Sequence, residues 1–350
     1  MNNTNQFRID SHKLHLHPER VARWLAGEMV PPIYMEVSPS GGCNHRCSFC
    51  GMDFLGYKSR LLPADVWKDR LTELGQIGLR SIMYAGEGEP FIHPRMPELT
   101  EATKKAGIDV AFTTNGVLLS PPKAEKVLSH TSWIKVSCNA GSAENYARIH
   151  SAKADDFNKV LRNLAEAVKI RSALKSSCTL GAQMVLLPEN RHEAVMLAER
   201  VRDIGADYLV IKPYFVSRQS DKDTYLSLAY DDCGDLARDL AATERPGFSV
   251  IFRREAMQRK VTRAPFSECR ALPFWGYVDA GGGFWGCLRH IGEPAFAYGN
   301  ICETSFAEIL ASRTVPTAFS IEDCHVNCRM DPVNHYLWAL AHPGPHANFI

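Results

Sequence analysis

Between residues 33 and 215 the chain alternates apolar, strand-like runs with segments of helical period, and this alternation limits the fold more than any other feature. Strands are expected near 33–38, 81–86, 109–114, 132–138, 179–187 and 207–214, with helices near 63–78, 95–107, 121–129, 155–173 and 190–204. Pro63, Pro121 and the Pro188-Glu189-Asn190 turn stand where helices should begin, and Gly78, Gly107 and Gly205 where they should end. Six strands separated by five helices imply an α/β fold of parallel βα repeats with right-handed crossovers. The resulting sheet is either barrel-like or open and doubly wound. In both, the loops past the carboxyl ends of the strands carry the chemistry.

Directly past the first strand lies Cys43-Asn44-His45-Arg46-Cys47-Ser48-Phe49-Cys50, a CxxxCxxC pattern. Its three thiolates can converge on one inorganic centre but leave a tetrahedral zinc or a cubane iron–sulfur cluster one ligand short. His45 is the local candidate for a fourth zinc ligand, and its position between two of the cysteines makes the geometry poor. A [4Fe-4S] cluster with three protein ligands instead keeps one iron open to a small molecule that brings its own donors. A zinc knuckle or unpaired core thiols are the plainer alternatives. The pattern, with the aromatic Phe49 ahead of the last cysteine, resembles the signature of the radical S-adenosylmethionine (radical SAM) superfamily, in which SAM chelates the open iron. The resemblance implies a partial (β/α)6 TIM-like barrel and makes the barrel preferable to an open sheet.

The loop after the second strand, Tyr84-Ala85-Gly86-Glu87-Gly88-Glu89-Pro90, is similar to the family's GGEP motif, which holds the amino group of SAM. Gly88, Glu89 and Pro90 match it, and Glu87 replaces its first glycine. Taken by themselves, these glycines admit close backbone approach, while the carbonyls and Glu89 offer acceptors for an ammonium. In isolation the same residues also make a turn with solvated acids. Thr113-Thr114-Asn115-Gly116 and Ser137-Cys138-Asn139-Ala140, after the third and fourth strands, are similar to SAM-contact segments of the family. Asn115, Ser137 and Asn139 suit ribose hydroxyls and a carboxylate, although Asn115-Gly116 is a good turn on its own. On the fifth strand Gln183 is placed to face ribose, and Val185 with Leu186 to wall an adenine. Lys212 and Tyr214 end the sixth strand and are the catalytic candidates, orienting hydroxyl or phosphate groups and accepting a proton. A lysine there can equally snorkel outward.

Residues 217–265 break the repeat, with a polar loop from Arg218 to Asp223, a helix from Asp231 to Thr243 and a strand from Phe248 to Phe252. Arg253 and Arg254 read as surface charges. Cys269, Cys287, Cys324 and Cys328 form a second constellation. Tyr277 to Cys287 reads as a hairpin with a glycine-rich turn, the segment being flanked by Cys269 and Cys287, and a helix begins near Ser305. Four thiolates saturate a cubane, and they also suit a zinc ribbon. The arrangement resembles the auxiliary-cluster modules of radical SAM enzymes known as SPASM and twitch domains, and four cysteines favour the shorter twitch type with one auxiliary [4Fe-4S] cluster. Cys138, Cys178, Cys233 and Cys302 read as buried apolar residues, with a fifth thiolate near that cluster as the alternative for Cys302.

Lys+Arg 40 against Asp+Glu 39 leaves no electrostatic footprint for nucleic acid or an anionic membrane, and no apolar run approaches a membrane span. Eleven cysteines without an export-like N-terminus point to thiols that serve metals in a reducing compartment, the cytoplasm by default. Expected boundaries are a lead-in at 1–31, a barrel at 32–216, a bridge at 217–265 and a small α+β auxiliary module at 266–350. In the lead-in, Arg20 to Met29 reads as a short helix, and His12, His15 and His17 as part of a solvated extended segment. The resemblance implies reductive cleavage of SAM to a 5′-deoxyadenosyl radical that takes hydrogen from a small polar substrate, with flavodoxin or ferredoxin as electron donor. A sugar, aminocyclitol or nucleoside-type substrate and a dehydrogenation are expected. A peptide-modifying maturase, for whose recognition domain the lead-in is too short, and a non-enzymatic iron–sulfur or zinc scaffold are the other readings.

Overall fold

A computed structural model describes residues 12–215, 219–220, 222, 224–230, 232–258, 264–317, 324 and 328–349 of the chain. After a short 3-10 turn at Leu14–Leu16 come α1 (Pro18–Leu25), β1 (Tyr34–Val37), α2 (Ala64–Ile77), β2 (Ser81–Tyr84), α3 (Met96–Lys105), β3 (Asp109–Thr114), α4 (Pro121–Val127), β4 (Trp133–Ser137), α5 (Ala143–His150), α6 (Ala154–Ala173), β5 (Thr179–Val185), α7 (Ala194–Asp203) and β6 (Tyr208–Lys212). Every strand and helix expected over 33–215 forms, with ends trimmed by a few residues. The helix boundaries follow local chemistry. Pro63 precedes α2, and Gly78 ends it in the left-handed region at φ +94°.

The remaining elements are α8 (Gly234–Ala242), β7 (Ser249–Phe252), α9 (Arg254–Gln258), β8 (Trp275–Val278), β9 (Gly283–Trp285), β10 (Ala297–Asn300), α10 (Phe306–Ser312) and α11 (Asp331–Ala341). The ten strands among the described residues join one sheet in the order β10-β9-β8-β1-β2-β3-β4-β5-β6-β7. Pairing is parallel from β8 through β1 to β7 and antiparallel in the β8–β9–β10 meander. Two additions to the expected sheet follow. The strand of the bridge becomes a seventh parallel strand on β6, and the first strand of the glycine-rich hairpin pairs parallel with β1, Tyr34 facing Trp275.

Side chains alternate across the sheet as a period of two requires. Met35 and Val37 of β1 join the large core under the helices, together with Ile82, Tyr84, Val110, Phe112, Ile134 and Val136. Tyr34 instead meets Met83, Ala85, Ala111 and Trp133 on the inner face of the sheet, which we call the lumen. Leu186 belongs to the helix-side core, so the expected adenine wall keeps Val185 and loses Leu186.

Several further differences have local causes. α5 is a helix beyond the expected set, and Ser142 caps it by accepting from the Asn145 N–H at 3.3 Å. The histidine-rich lead-in is packed where it is described: His12 lies against the Tyr336 ring at 4.1 Å, and Leu14, Val21 and Val30 share a core with Phe274 and Leu337. The helix expected from Asp231 is described from Gly234, Asp231 lying outside the described residues, as do Arg218, Asp221 and Asp223 of the expected polar loop. Among the described residues no helix is long and apolar enough to cross a membrane.

Candidate functional site

The CxxxCxxC loop leaves β1 and is fastened to the end of α5. Arg46 N–H donates to the His150 carbonyl at 3.0 Å and Ser48 N–H to the Ile149 carbonyl at 2.8 Å, which satisfies last-turn carbonyls that a helix cannot pair internally. Cys43, Cys47 and Cys50 are free thiols gathered within electrostatic reach of one another. Burial pushes the Cys43 thiol up to about 11, with Glu89 and Cys50 adding to it, and Cys47 rises further through burial, Cys50 and Cys43. Three soft donors gathered without a disulfide offer the chemistry of a metal-ligating set.

His150 is a residue of the candidate site that the sequence reading missed. Its Nε2 accepts from the Asn139 N–H at 3.2 Å, so the ring proton sits on Nδ1, which faces Cys47 Sγ at 3.3 Å. Such a donor to a ligating sulfur orients the ligand and tunes the metal. The ring is held by a stack on Tyr146 at 4.0 Å and an edge contact with Phe49 at 5.7 Å. His45, Cys47 and His150 donor atoms lie within 4.8 Å of one another, and His45 Nε2 also stands 3.5 Å from Asp156 Oδ2. No sequence spacing announces His150, because the fold brings it to Cys47 from 103 residues away.

The GEGEP loop is knotted to both neighbouring loops. Glu89 is buried, its Oε1 accepting from Thr114 Oγ1 at 2.6 Å and Phe91 N–H at 3.1 Å, and its Oε2 from Asn115 N–H at 2.7 Å. Each carboxylate oxygen accepts two donors, so one acceptor position remains on Oε2. Burial raises the Glu89 carboxyl above its ordinary range, and the three donors oppose that. Asn115 Nδ2 donates to Asn44 Oδ1 at 2.7 Å, which ties the third loop to the cysteine loop. Gly88 runs against the strand-exit backbone: a Cβ there would sit 2.2 Å from the Gly42 carbonyl oxygen.

Glu87, which stands where the family motif has glycine, is a clamp. Its Oε2 accepts from Arg60 Nη2 at 3.0 Å and its Oε1 from Ala280 N–H at 2.7 Å, so it joins the second loop to the turn after β8.

The other expected cofactor residues divide. Val185, Tyr214 and partly buried Phe49 form an apolar wall with Ile149, Leu187 and Tyr225 beside the cysteine loop. Gln183 Nε2 reaches Ser137 Oγ at 3.4 Å on the lumen side, next to that wall. Asn139 is fully buried and braces strands, its Oδ1 accepting from Val185 N–H at 2.6 Å and its Nδ2 facing His150, so it positions other groups and is not exposed to a ligand. Tyr214 sits on the wall near Asp53 and Cys50, and burial raises its hydroxyl, which places it with the cofactor side and makes it a poor base.

Lys212 points into the lumen. There it meets Lys135 of β4 and Arg253 beyond β7, with Glu36 of β1 and Arg329 ahead of α11. Burial first, then Lys135 and Arg253, pull the Lys212 ammonium down to about 7, and Lys135 falls to about 8 through burial. Arg253 is therefore a lumen charge and not a surface one. Glu36 is spoken for, accepting from Tyr34 Oη at 3.0 Å and pairing with Arg329.

Cys269, Cys287, Cys324 and Cys328 also converge. Burial lifts the Cys269 thiol to about 12 with Cys328 and Cys324 contributing, and Cys287 rises through burial, Cys328, Cys269 and Cys324. Asn334 Nδ2 donates to Cys269 Sγ at 3.5 Å, and His290 Nε2 stands 3.9 Å from Cys324 Sγ. Cys302 is exposed on the far side of the hairpin turn, its nearest charges being Arg70, Asp279 and Glu303, so it stands apart from the set. Cys138, Cys178 and Cys233 are buried as expected.

Comparison with known proteins agrees with this geometry. Residues 37–201 match the family model described as Radical SAM superfamily. The probable GTP 3′,8-cyclase of Thermococcus kodakarensis is 30% identical over 154 residues, 43% of this chain and 48% of that protein. The GTP 3′,8-cyclase of Chlorobaculum tepidum is 27% identical over 185 residues, 52% of this chain and 54% of that protein. The chain thus spans about half the length of these curated relatives. Streptococcus suis SuiB bound to S-adenosylmethionine superposes with a TM-score of 0.63 at 17% identity, covering 87% of this chain and 71% of SuiB. Native anSMEcpe with bound AdoMet gives a TM-score of 0.59 at 17% identity, covering 84% of each chain. The mostly parallel sheet is the partial barrel of these structures. The chain carries a radical SAM domain over residues 37–201, an enzyme domain whose family works with a [4Fe-4S] cluster and SAM. Cys43, Cys47 and Cys50 are the residues here that fit that cluster.

Proposed function

We propose that the protein reductively cleaves SAM and abstracts hydrogen from a small polar molecule of sugar, aminocyclitol or nucleoside type, with dehydrogenation as the net outcome. The observation that carries this reading is the knot in which Glu89 binds Thr114 and Asn115 while Asn115 binds Asn44, holding three strand-end loops around the Cys43, Cys47 and Cys50 thiols. When bound, the cluster and SAM supply hydrogen-atom abstraction, and a second cluster on Cys269, Cys287, Cys324 and Cys328 supplies an electron acceptor. A flavodoxin or ferredoxin is the electron donor in this reading.

The chain's own residues have distinct tasks. The open Oε2 position of Glu89 accepts from the SAM ammonium, and Val185 with Phe49 covers the adenine and excludes water. Gln183 and Ser137 hold ribose hydroxyls. Lys212 accepts the hydroxyl proton as the carbinol carbon becomes a carbonyl: one hydrogen atom, one proton and one electron leave the substrate. Incubation with deuterated sugar and nucleotide-sugar pools tests the reading by mass spectrometry. Deuterium moving from a sugar carbon into 5′-deoxyadenosine, with a product short of two hydrogens, supports it. Transfer only from a peptide would overturn the substrate class, and an unchanged hydrogen count in the product would replace dehydrogenation by epimerisation or bond formation.

Glu89→Gln is expected to lower SAM affinity about tenfold or more while iron content stays at the wild-type level, because the charge-assisted acceptor is lost. Titration of SAM into both proteins checks this; equal affinities would reduce Glu89 to a loop brace.

A pH profile tests Lys212. Only the neutral amine accepts a proton, and Lys135, Arg253 and Arg329 oppose its charge while Glu36 favours it. Turnover should therefore rise with pH through about 7 and fade below it, and Lys212→Met should lose both turnover and that acid limb. An acid limb that persists in residual Lys212→Met activity assigns the proton to another group.

A further inference from the structure

Among the described residues, two lysines in the lumen beneath the cofactor loops have no acid of their own. Lys135 lies deep in the barrel on β4, its ammonium 5.3 Å from the Trp133 ring centroid, and feels Glu36, Arg329 and Arg253. Lys212 on β6 meets the same groups. Neither ammonium group has a hydrogen bond or ion pair among the described residues, and Glu36, the acid that faces them, is already paired with Arg329. Although surrounded by protein, both lysines keep part of their surface uncovered, as do Trp133, Ser137 and Arg253, so these groups line an open space inside the barrel. Unpaired ammonium groups brought out of water are unfavourable unless a counter-charge arrives.

We propose that this space is the seat of an anionic group on the substrate, a phosphate or a carboxylate, held by Lys135 with Lys212 alongside. The proposal rests on the reading of the chain as a SAM-cleaving enzyme and narrows its substrate. A phosphorylated or acidic sugar, or a nucleotide, complements the lumen; an aminocyclitol, which brings further ammonium groups, is repelled by it. The geometry also divides labour. The anion is fixed on the β4 side, and Lys212, on β6, remains next to the carbon that reacts. The inner faces of β1 to β3 contribute Met83, Ala85, Ala111 and Tyr34, an apolar floor that strengthens charge recognition by excluding water.

The test uses the reconstituted, SAM-bound holoenzyme titrated calorimetrically with inorganic pyrophosphate and, separately, malonate. Saturation of one site per chain by either anion is expected, and the stronger binder names phosphate or carboxylate as the source. Lys135→Met should weaken that binding about tenfold or more, while Lys135→Arg, which keeps the charge, should lose far less. Acylation of lysines in the wild-type protein, mapped by peptide mass spectrometry, gives a readout that needs no variant: the anion should protect Lys135. Failure of both anions to saturate, undiminished binding in Lys135→Met, or protection confined to surface lysines would overturn the proposal. Reductive SAM cleavage is measured on the same sample. Its absence strikes the proposed function, whereas a lumen indifferent to anions in a sample that cleaves SAM strikes only this inference.

Discussion

Replacing Cys43, Cys47 and Cys50 together by alanine is expected to lower bound iron from about eight to about four per chain and to abolish reductive SAM cleavage, since each cubane holds four irons. The expectation follows from how separately the two cysteine sets are built. The first is carried on the loop after β1 and pinned by α5, and the second by the hairpin and the segment ahead of α11, with its own neighbours, Asn334 donating to Cys269 and His290 standing beside Cys324. Removing the first set leaves every contact of the second in place. Iron analysis and absorbance of anaerobically purified protein check the cluster count. Zinc in the remaining site would make it a ribbon, and SAM cleavage surviving in the triple variant would remove the basis for the function.

Two glycines packed against each other should respond very differently to alanine. At Gly88 a Cβ would lie 2.2 Å from the Gly42 carbonyl oxygen and 2.4 Å from that of Ser40, both backbone atoms that no rotamer change can move. Gly88→Ala should therefore cost about 3 kcal/mol or more and break the 2.9 Å bond from Glu89 N–H to the Gly42 carbonyl, taking SAM binding with it. Gly42→Ala is the control, because its Cβ would meet Ser40 Oγ at an ordinary 3.6 Å and should change stability by less than about 1 kcal/mol. Denaturant unfolding of the cluster-free proteins separates the two. Equal destabilisation would show that the loop yields where the structure holds it fast.

The strands of the βα repeat and the two cysteine sets were legible because they are local signals: a period of two or 3.6, a proline ahead of a helix, a thiol at fixed spacing. What stayed hidden depends on contacts between distant parts of the chain. His150 gives no pattern, since it matters only once α5 sets it against Cys47. Arg253 reads as a surface charge until β7 joins β6 and turns the following residue toward Lys212. Asn139 matched a ligand-contact segment, yet the fold uses its amide to brace Val185. Glu87 looked like a departure from the motif, and its reason, the bond to Ala280, lies 193 residues downstream.

The parallel pairing of β8 with β1 has a consequence for how the chain is made. Tyr34 meets Trp275, so the strand that leads into the first cysteine set has one edge closed by residues roughly 240 positions later. At about 5–20 residues per second, a ribosome would leave that edge open for roughly 12 to 48 s after β1 emerges. An unpaired strand edge is a template for wrong partners throughout that interval. A nascent chain halted before residue 275 should thus hold its cysteine loop beside a raw sheet edge, and release of the C-terminal hairpin is the event that seals it.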